Sequence, residues 1–199
     1  MRKLGWANTI TLVRIVLIPV FLVVLLGRMP IWGPFLAALV FTLLALSDVV
    51  DGYIARTRNE VTTFGKFIDP LADKLLVTAA LVALVELSRL PSWIAIVIIS
   101  RELIVSGLRM VAVAEGKVIA ASVYGKIKTV LQIIAIVAFT VKDSPLLVQY
   151  AGAAGAHAFG LLSWVVMGAA LLMTAVSAID YFYKARNVIA GPWNGDELA

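Results

Sequence analysis

Long apolar segments limit most strongly what this chain can fold into. A helix needs about 20 apolar residues to cross the hydrocarbon core of a bilayer. Segments near that length lie at approximately 9–27, 34–56, 67–88, 92–113, 121–141 and 157–182. Of the 199 residues, 62% are hydrophobic and only 15% are charged, too little polar surface for a soluble domain of this size. The sequence therefore predicts an all-α, polytopic membrane protein, in which residues 1–199 form one domain with six transmembrane helices.

Lysines and arginines near the segment ends fall mainly on one predicted side of the membrane. That side holds Arg2, Lys3, Arg56, Arg58, Lys66, Arg109, Lys117, Lys126, Lys128, Lys184 and Arg186. The opposite side holds only Arg28, Arg89 and Lys142. Because cytoplasmic loops carry the excess of basic residues, both termini and the loops at 57–66 and 114–120 are predicted to be cytoplasmic.

Four aspartates lie where the second and third apolar segments approach each other. Asp48 and Asp51 are three residues apart and share a helix face, and Asp69 and Asp73 are four apart and share another. A short polar loop joins the two helices, so the two carboxylate pairs are expected to converge. An aspartate within a membrane costs about 2.5–3.5 kcal/mol on insertion scales, so these four charges must be neutralised.

Two ways of neutralising the four carboxylates are open. Basic neighbours or interfacial water would suffice for one or two acids, but four on converging faces would repel one another at neutral pH. The basic neighbours are Arg56, Lys66 and Lys74. One or two divalent cations would relieve the repulsion directly. With no histidine or cysteine nearby, an all-oxygen ligand set favours a hard ion, Mg²⁺ or Mn²⁺.

Small residues and one arginine accompany the aspartates. Gly52, Ala55 and Gly65 would allow a flat ligand to approach the helix backbone, although tight helix packing explains such residues equally well. Arg56 offers a fork of donors that suits a phosphate. These residues are consistent with a site for a metal-bound diphosphate whose nucleoside lies on a floor of small residues.

The whole stretch resembles a known signature. It reads Asp48-x-x-Asp51-Gly52-x-x-Ala55-Arg56, then eight residues, then Gly65-x-x-x-Asp69-x-x-x-Asp73. This is similar to the signature of the CDP-alcohol phosphotransferase family, with every position occupied. The resemblance implies a six-helix membrane enzyme, a homodimer, that moves a phosphatidyl-type group from a CDP-linked donor to an alcohol and releases CMP.

The same resemblance implies roles for the signature residues. The metal centre would be formed by Asp48, Asp51, Asp69 and Asp73. Of these, Asp73 would be the catalytic base, and Asp69 would also be catalytic. The CDP moiety would be bound by Asp48, Gly52, Ala55, Arg56 and Gly65.

A narrower resemblance covers two further stretches. The segments ISRELIVSGLRMVAVAEGKVIAASVYGKIKTVLQIIAI (99–136) and NTITLVRIVLIPVF (8–21) resemble bacterial phosphatidylglycerophosphate synthases, a branch of that family. This implies CDP-diacylglycerol as donor, the sn-1 hydroxyl of glycerol 3-phosphate as acceptor, and a bacterial inner membrane. Arg101, Arg109 and Lys126 match basic positions expected to bind the acceptor phosphate. Thr11, in the first segment, is placed to approach the same pocket.

Several other charged residues receive simpler interpretations. Lys128 is expected to face the membrane surface or anionic lipid. Arg14 either approaches the acceptor pocket or extends its charged end to the interface. Glu102 is expected to pair with the adjacent Arg101, and Asp180 to pair locally.

Three alternative functions remain open from the sequence. A sister enzyme would use inositol phosphate, serine or phosphatidylglycerol as acceptor. A membrane prenyltransferase also holds magnesium diphosphate with aspartates, but it would have two separated aspartate-rich motifs. A cation transporter would have acids distributed through the bilayer depth, whereas these lie together on one side.

Overall fold

The computed structural model describes most of the chain. Its backbone is described at residues 6–27, 29, 31–57, 63–114, 116 and 122–190. Its side chains are described at residues 10–27, 29, 31–47, 71–113, 116 and 122–186.

All regular structure in these ranges is helical. The six helices are α1 Trp6–Leu26, α2 Gly33–Thr57, α3 Thr63–Glu86, α4 Ser92–Ala114, α5 Val123–Val141 and α6 Pro145–Ala190. The first five helices begin and end within about four residues of the predicted apolar segments. The turns that interrupt the apolar sequence also end the helices. The all-α prediction is confirmed.

Helix α6 differs from the prediction at its start. It begins at Pro145 rather than near residue 157. Gly152 interrupts it with φ 70° and ψ 172°, a left-handed φ that glycine adopts without a steric penalty. The sequence suggested a turn at Pro145, but proline is also favoured in the first turn of a helix. A short helical segment therefore precedes the long one.

The helices pack around a continuous apolar core. Helix α1 packs against α2 and α3, α5 packs against α6, and α3 also contacts α2, α4 and α5. The aromatic rings of Phe21 and Phe41 lie 5.6 Å apart between α1 and α2. Every helix contributes buried side chains, including Phe21, Phe41, Leu84, Ile98, Phe139 and Met167.

The outer faces of the bundle are also apolar. Val16 is 70% exposed, Leu172 65% and Ile179 70%, and many other large apolar side chains are exposed. Such continuous apolar surface is avoided by soluble monomers and suits contact with lipid. Among the described residues, Val123–Val141 and Pro145–Arg186 are each long and apolar enough to cross a membrane. Ile10–Leu26 and Gly33–Ser47 are shorter apolar helices. These segments indicate a membrane protein, and the count of six spans stays a prediction.

Candidate active site

The signature residues lie on two helices that contact each other. Asp48 and Asp51 belong to α2, and Asp69 and Asp73 belong to α3. Since both segments are helical, the spacings of three and four residues place each pair on one face of its helix. Helix α3 begins at Thr63, so part of the predicted 57–66 loop is helical.

Most signature side chains lie outside the described residues. These are Asp48, Asp51, Gly52, Ala55, Arg56, Gly65 and Asp69. Among the side chains that are described, no three histidine, aspartate or glutamate residues are grouped closely enough to hold a metal ion. The metal and CDP assignments therefore stay predictions. The donor set itself fits a hard divalent cation, because it consists of carboxylates carried in helical register by neighbouring helices.

Asp73 is the one signature aspartate whose side chain is described. It is half-buried on α3, and its negative charge acts on Lys128 of α5. Lys128 belongs to a second polar group, formed by α4, α5 and α6.

Helix α1 places a buried arginine next to the acidic segment. The Arg14 side chain is 1% exposed, and its Nε donates to Ser47 Oγ at 3.0 Å. Ser47 in turn donates to the backbone carbonyl of Leu44 at 2.7 Å, and it directly precedes Asp48. Extension of Arg14 to the interface is therefore wrong, since its charge is enclosed between α1 and α2. Thr11, one turn earlier on α1, is fully buried.

A mostly buried ionic cluster joins α4, α5 and α6. Arg101 Nη1 lies 3.3 Å from Glu102 Oε1, as predicted, and Arg101 Nη2 donates to Ser177 Oγ at 2.6 Å. Lys128 Nζ donates to the same oxygen of Glu102. We call these four residues, Arg101, Glu102, Lys128 and Ser177, the ionic cluster. It places two cations and one carboxylate inside a mainly apolar bundle.

The position of Lys128 contradicts its expected contact with lipid. Its side chain is 3% exposed, because α5 turns this face towards α4 and α6. The sequence does contain a signal for it. Gln132, one turn later on α5, is also buried and donates to Thr174 Oγ1 at 3.2 Å. A lysine and a glutamine four residues apart in an apolar helix indicate a polar stripe facing inwards.

The other predicted acceptor residues are placed differently. Arg101 lies within the ionic cluster, whereas Arg109 and Lys126 are exposed. Lys126 precedes Lys128 by two residues, so about 200° of helical rotation separates their side chains. The structure thus brings together Arg101 and Lys128.

Helix α6 contributes residues that sequence reasoning missed. Thr174, Ser177 and Tyr181 are all buried, at spacings of three and four residues. They form a polar stripe in a strongly apolar helix, and that periodic pattern could have identified them. Nearby, Lys184 donates to Asp180 at 2.8 Å, which confirms the predicted local pair.

Comparison with known proteins decides the family. The family model described as CDP-alcohol phosphatidyltransferase matches residues 4–188, from before α1 to near the end of α6. The chain belongs to the CDP-alcohol phosphatidyltransferase family. The resemblance inferred from the signature residues is thereby confirmed.

Relatives within the CDP-alcohol phosphatidyltransferase family are similar over most of the chain. A Bacillus subtilis protein named CDP-diacylglycerol–glycerol-3-phosphate 3-phosphatidyltransferase is 45% identical over 189 residues, 89% of this chain and 93% of its own. An Escherichia coli K12 protein of the same name is 38% identical over 184 residues, covering 89% and 92%. A Mycobacterium tuberculosis protein named probable phosphatidylglycerophosphate synthase is 38% identical over 194 residues, covering 93% and 83%.

Proposed function

We propose that this chain is a phosphatidylglycerophosphate synthase. It transfers the phosphatidyl group of CDP-diacylglycerol to the sn-1 hydroxyl of glycerol 3-phosphate and releases CMP. The names of relatives that are 38–45% identical support this reaction. The structural observation that carries it is the pair of cations formed by the mostly buried Arg101 and the buried Lys128, together with the half-buried carboxylate of Asp73, whose charge acts on Lys128. A small phosphorylated alcohol needs this combination, because its phosphate requires cations and its hydroxyl requires a base.

The proposed metal centre consists of the four signature aspartates, Asp48, Asp51, Asp69 and Asp73, with one or two Mg²⁺ or Mn²⁺ ions. When bound, the metal neutralises charge on the diphosphate and stabilises the departing CMP. The CDP moiety would lie against the same face, bound by Asp48, Gly52, Ala55, Arg56 and Gly65.

The chain's own residues supply orientation and proton transfer. Arg101 and Lys128 hold the phosphate of the acceptor, so that its sn-1 hydroxyl points towards Asp73. Asp73 accepts the hydroxyl proton as the oxygen bonds to the phosphorus that carries the lipid. The bond from that phosphorus to the oxygen of CMP breaks in the same displacement. Asp69 is a second catalytic carboxylate, and the exposed Arg109 and Lys126 attract the anionic acceptor towards the pocket.

The proposed setting is a bacterial inner membrane. In this arrangement all six helices span the bilayer as one catalytic domain, with both termini and the active site at the cytoplasmic side. The lipid tails stay in the bilayer while the head group reaches the polar site. The chain would function as a homodimer, as the family resemblance implies.

The orientation can be tested with single cysteines, because the chain has none of its own. Ser88→Cys, between α3 and α4, should react with a membrane-impermeant maleimide in intact spheroplasts. Lys184→Cys, near the end of α6, should react only after the membrane is opened. Both parent side chains are exposed, so accessibility to the reagent depends on the side of the membrane. Labelling of Lys184→Cys in sealed spheroplasts would contradict the orientation.

The reaction is tested by CMP release from purified protein in detergent micelles. CDP-diacylglycerol and glycerol 3-phosphate should give CMP, and a chelator should stop release until Mg²⁺ or Mn²⁺ is restored. Inositol phosphate, serine and phosphatidylglycerol serve as competing acceptors. Faster CMP release with any of these than with glycerol 3-phosphate would refute the proposed acceptor.

A further inference from the structure

Three buried polar atoms in the described part of the chain have no hydrogen-bond partner, and two of them lie close to the ionic cluster. These two are Tyr181 Oη on α6 and Arg101 Nε on α4. Tyr181 is only 5% exposed, so surrounding water does not readily satisfy its hydroxyl. Native proteins contain few such atoms, and each needs an explanation, of which a missing ligand is one.

The two atoms border the same region. The positive charges of Arg101 and Arg109 both act on the Tyr181 side chain. Arg101 Nη2 also donates to Ser177, which lies one helical turn before Tyr181 on α6. Tyr181 and Arg101 therefore lie within about one helical turn of each other where α4 packs against α6, at the edge of the ionic cluster.

The chemistry of these atoms specifies the ligand class. Arg101 Nη1 and Nη2 are held by Glu102 and Ser177, which fixes the plane of the guanidinium, and Nε–H has no acceptor. The Tyr181 hydroxyl is a second donor, and Arg109 adds a nearby positive charge. Several donors and cations close together suit an anion with several acceptor oxygens, which describes a phosphate group.

We infer that Tyr181 is a binding residue for the acceptor, its hydroxyl donating to the phosphate of glycerol 3-phosphate beside Arg101 Nε. This inference rests on the proposed function and names a residue that the signature does not contain. The positions of Tyr181 and Arg101 favour the acceptor phosphate as their ligand, rather than the diphosphate of the donor. The signature residues proposed for CDP lie on α2 and α3, whereas Tyr181 and Arg101 lie on α6 and α4.

The test is Tyr181→Phe, which removes one oxygen and keeps the ring. Tyr183→Phe is the matched control, since Tyr183 lies two residues later on α6 and is 65% exposed. The full chain is assayed in detergent micelles for the KM of each substrate, for kcat and for melting temperature with and without glycerol 3-phosphate. We expect Tyr181→Phe to raise the KM for glycerol 3-phosphate about tenfold, because losing one hydrogen bond to a charged group weakens binding by about that factor. The KM for CDP-diacylglycerol should change less than about twofold, and the control should match the wild type.

Melting temperature separates ligand binding from a structural role. Removing an unpartnered buried hydroxyl should leave the melting temperature of the free protein unchanged or raise it, because nothing is left unsatisfied. Glycerol 3-phosphate should stabilise the variant less than the wild type. A lowered melting temperature with an unchanged KM, or a variant that does not fold, would overturn the inference.

Two further outcomes identify which proposal fails. An equal rise in both KM values would assign Tyr181 to the donor phosphate and overturn the inference. If the wild type releases no CMP in response to glycerol 3-phosphate, the proposed function itself fails. If the wild type is active and Tyr181→Phe behaves identically, only the role of Tyr181 is refuted.

Discussion

Glu102→Gln removes the carboxylate charge on which both cations of the ionic cluster depend. Lys128 Nζ and Arg101 Nη1 both contact Glu102 Oε1. The Lys128 side chain is 3% exposed and that of Glu102 is 17%, so water screens this interaction weakly. Glutamine keeps the size and one acceptor oxygen but leaves the ammonium of Lys128 without its ionic partner.

The expected loss of stability follows from this burial. Breaking one partner of a buried ion pair costs about 3–5 kcal/mol, because the remaining charge is uncompensated. The Glu102 side chain keeps 17% of its surface exposed, so the lower end of this range applies. For a chain of this length, 1 kcal/mol corresponds to about 2–4 °C in melting temperature. We therefore expect Glu102→Gln to melt about 6–12 °C below the wild type.

The assay is thermal unfolding in detergent micelles, followed by intrinsic tryptophan fluorescence. Glu86→Gln is the control, since Glu86 is exposed at the end of α3; it should melt within about 1 °C of the wild type. The double variant Glu102→Gln with Lys128→Met should recover most of the loss, because an apolar replacement of the pair leaves no buried charge. If Glu102→Gln melts like the wild type, or if the double variant is less stable than Glu102→Gln, the ionic cluster does not contribute this much to the free energy of unfolding.

Two further predictions concern catalysis. Asp69→Asn should lower CMP release by at least about a hundredfold, because one carboxylate of the proposed metal centre is lost. Its melting temperature should stay close to that of the wild type, and Asp180→Asn is the control. Normal turnover by Asp69→Asn would refute the metal assignment. Lys128→Gln should raise the KM for glycerol 3-phosphate at least about tenfold by removing a buried cation, whereas Lys126→Gln should change it less than about threefold. The reverse order would support Lys126, the lysine predicted from the sequence, as the acceptor-binding residue.

Much of the secondary structure and the candidate donor site could be read from local sequence. Apolar length and flanking turns predicted the first five helices, because a helix satisfies its own backbone hydrogen bonds and depends little on distant residues. Spacings of three and four residues placed each aspartate pair on one helix face for the same reason. The start of α6 was missed because Gly152 interrupts that helix through its backbone conformation, and the surrounding alanines and glycines carry no clear periodic signal.

The acceptor side of the site was decided by tertiary structure. In the sequence, only Gln132 four residues later distinguishes position 128 from position 126, and the rotation of α5 against α4 and α6 buries Lys128 and exposes Lys126. The contacts that define the ionic cluster join residues far apart in the chain: Lys128 and Glu102 are 26 positions apart, and Arg101 and Ser177 are 76 apart. The sequence by itself determined most of the helical segments and where its acids lie. Only helix packing decided which polar faces meet inside the bundle, because a buried charge needs a partner on another helix.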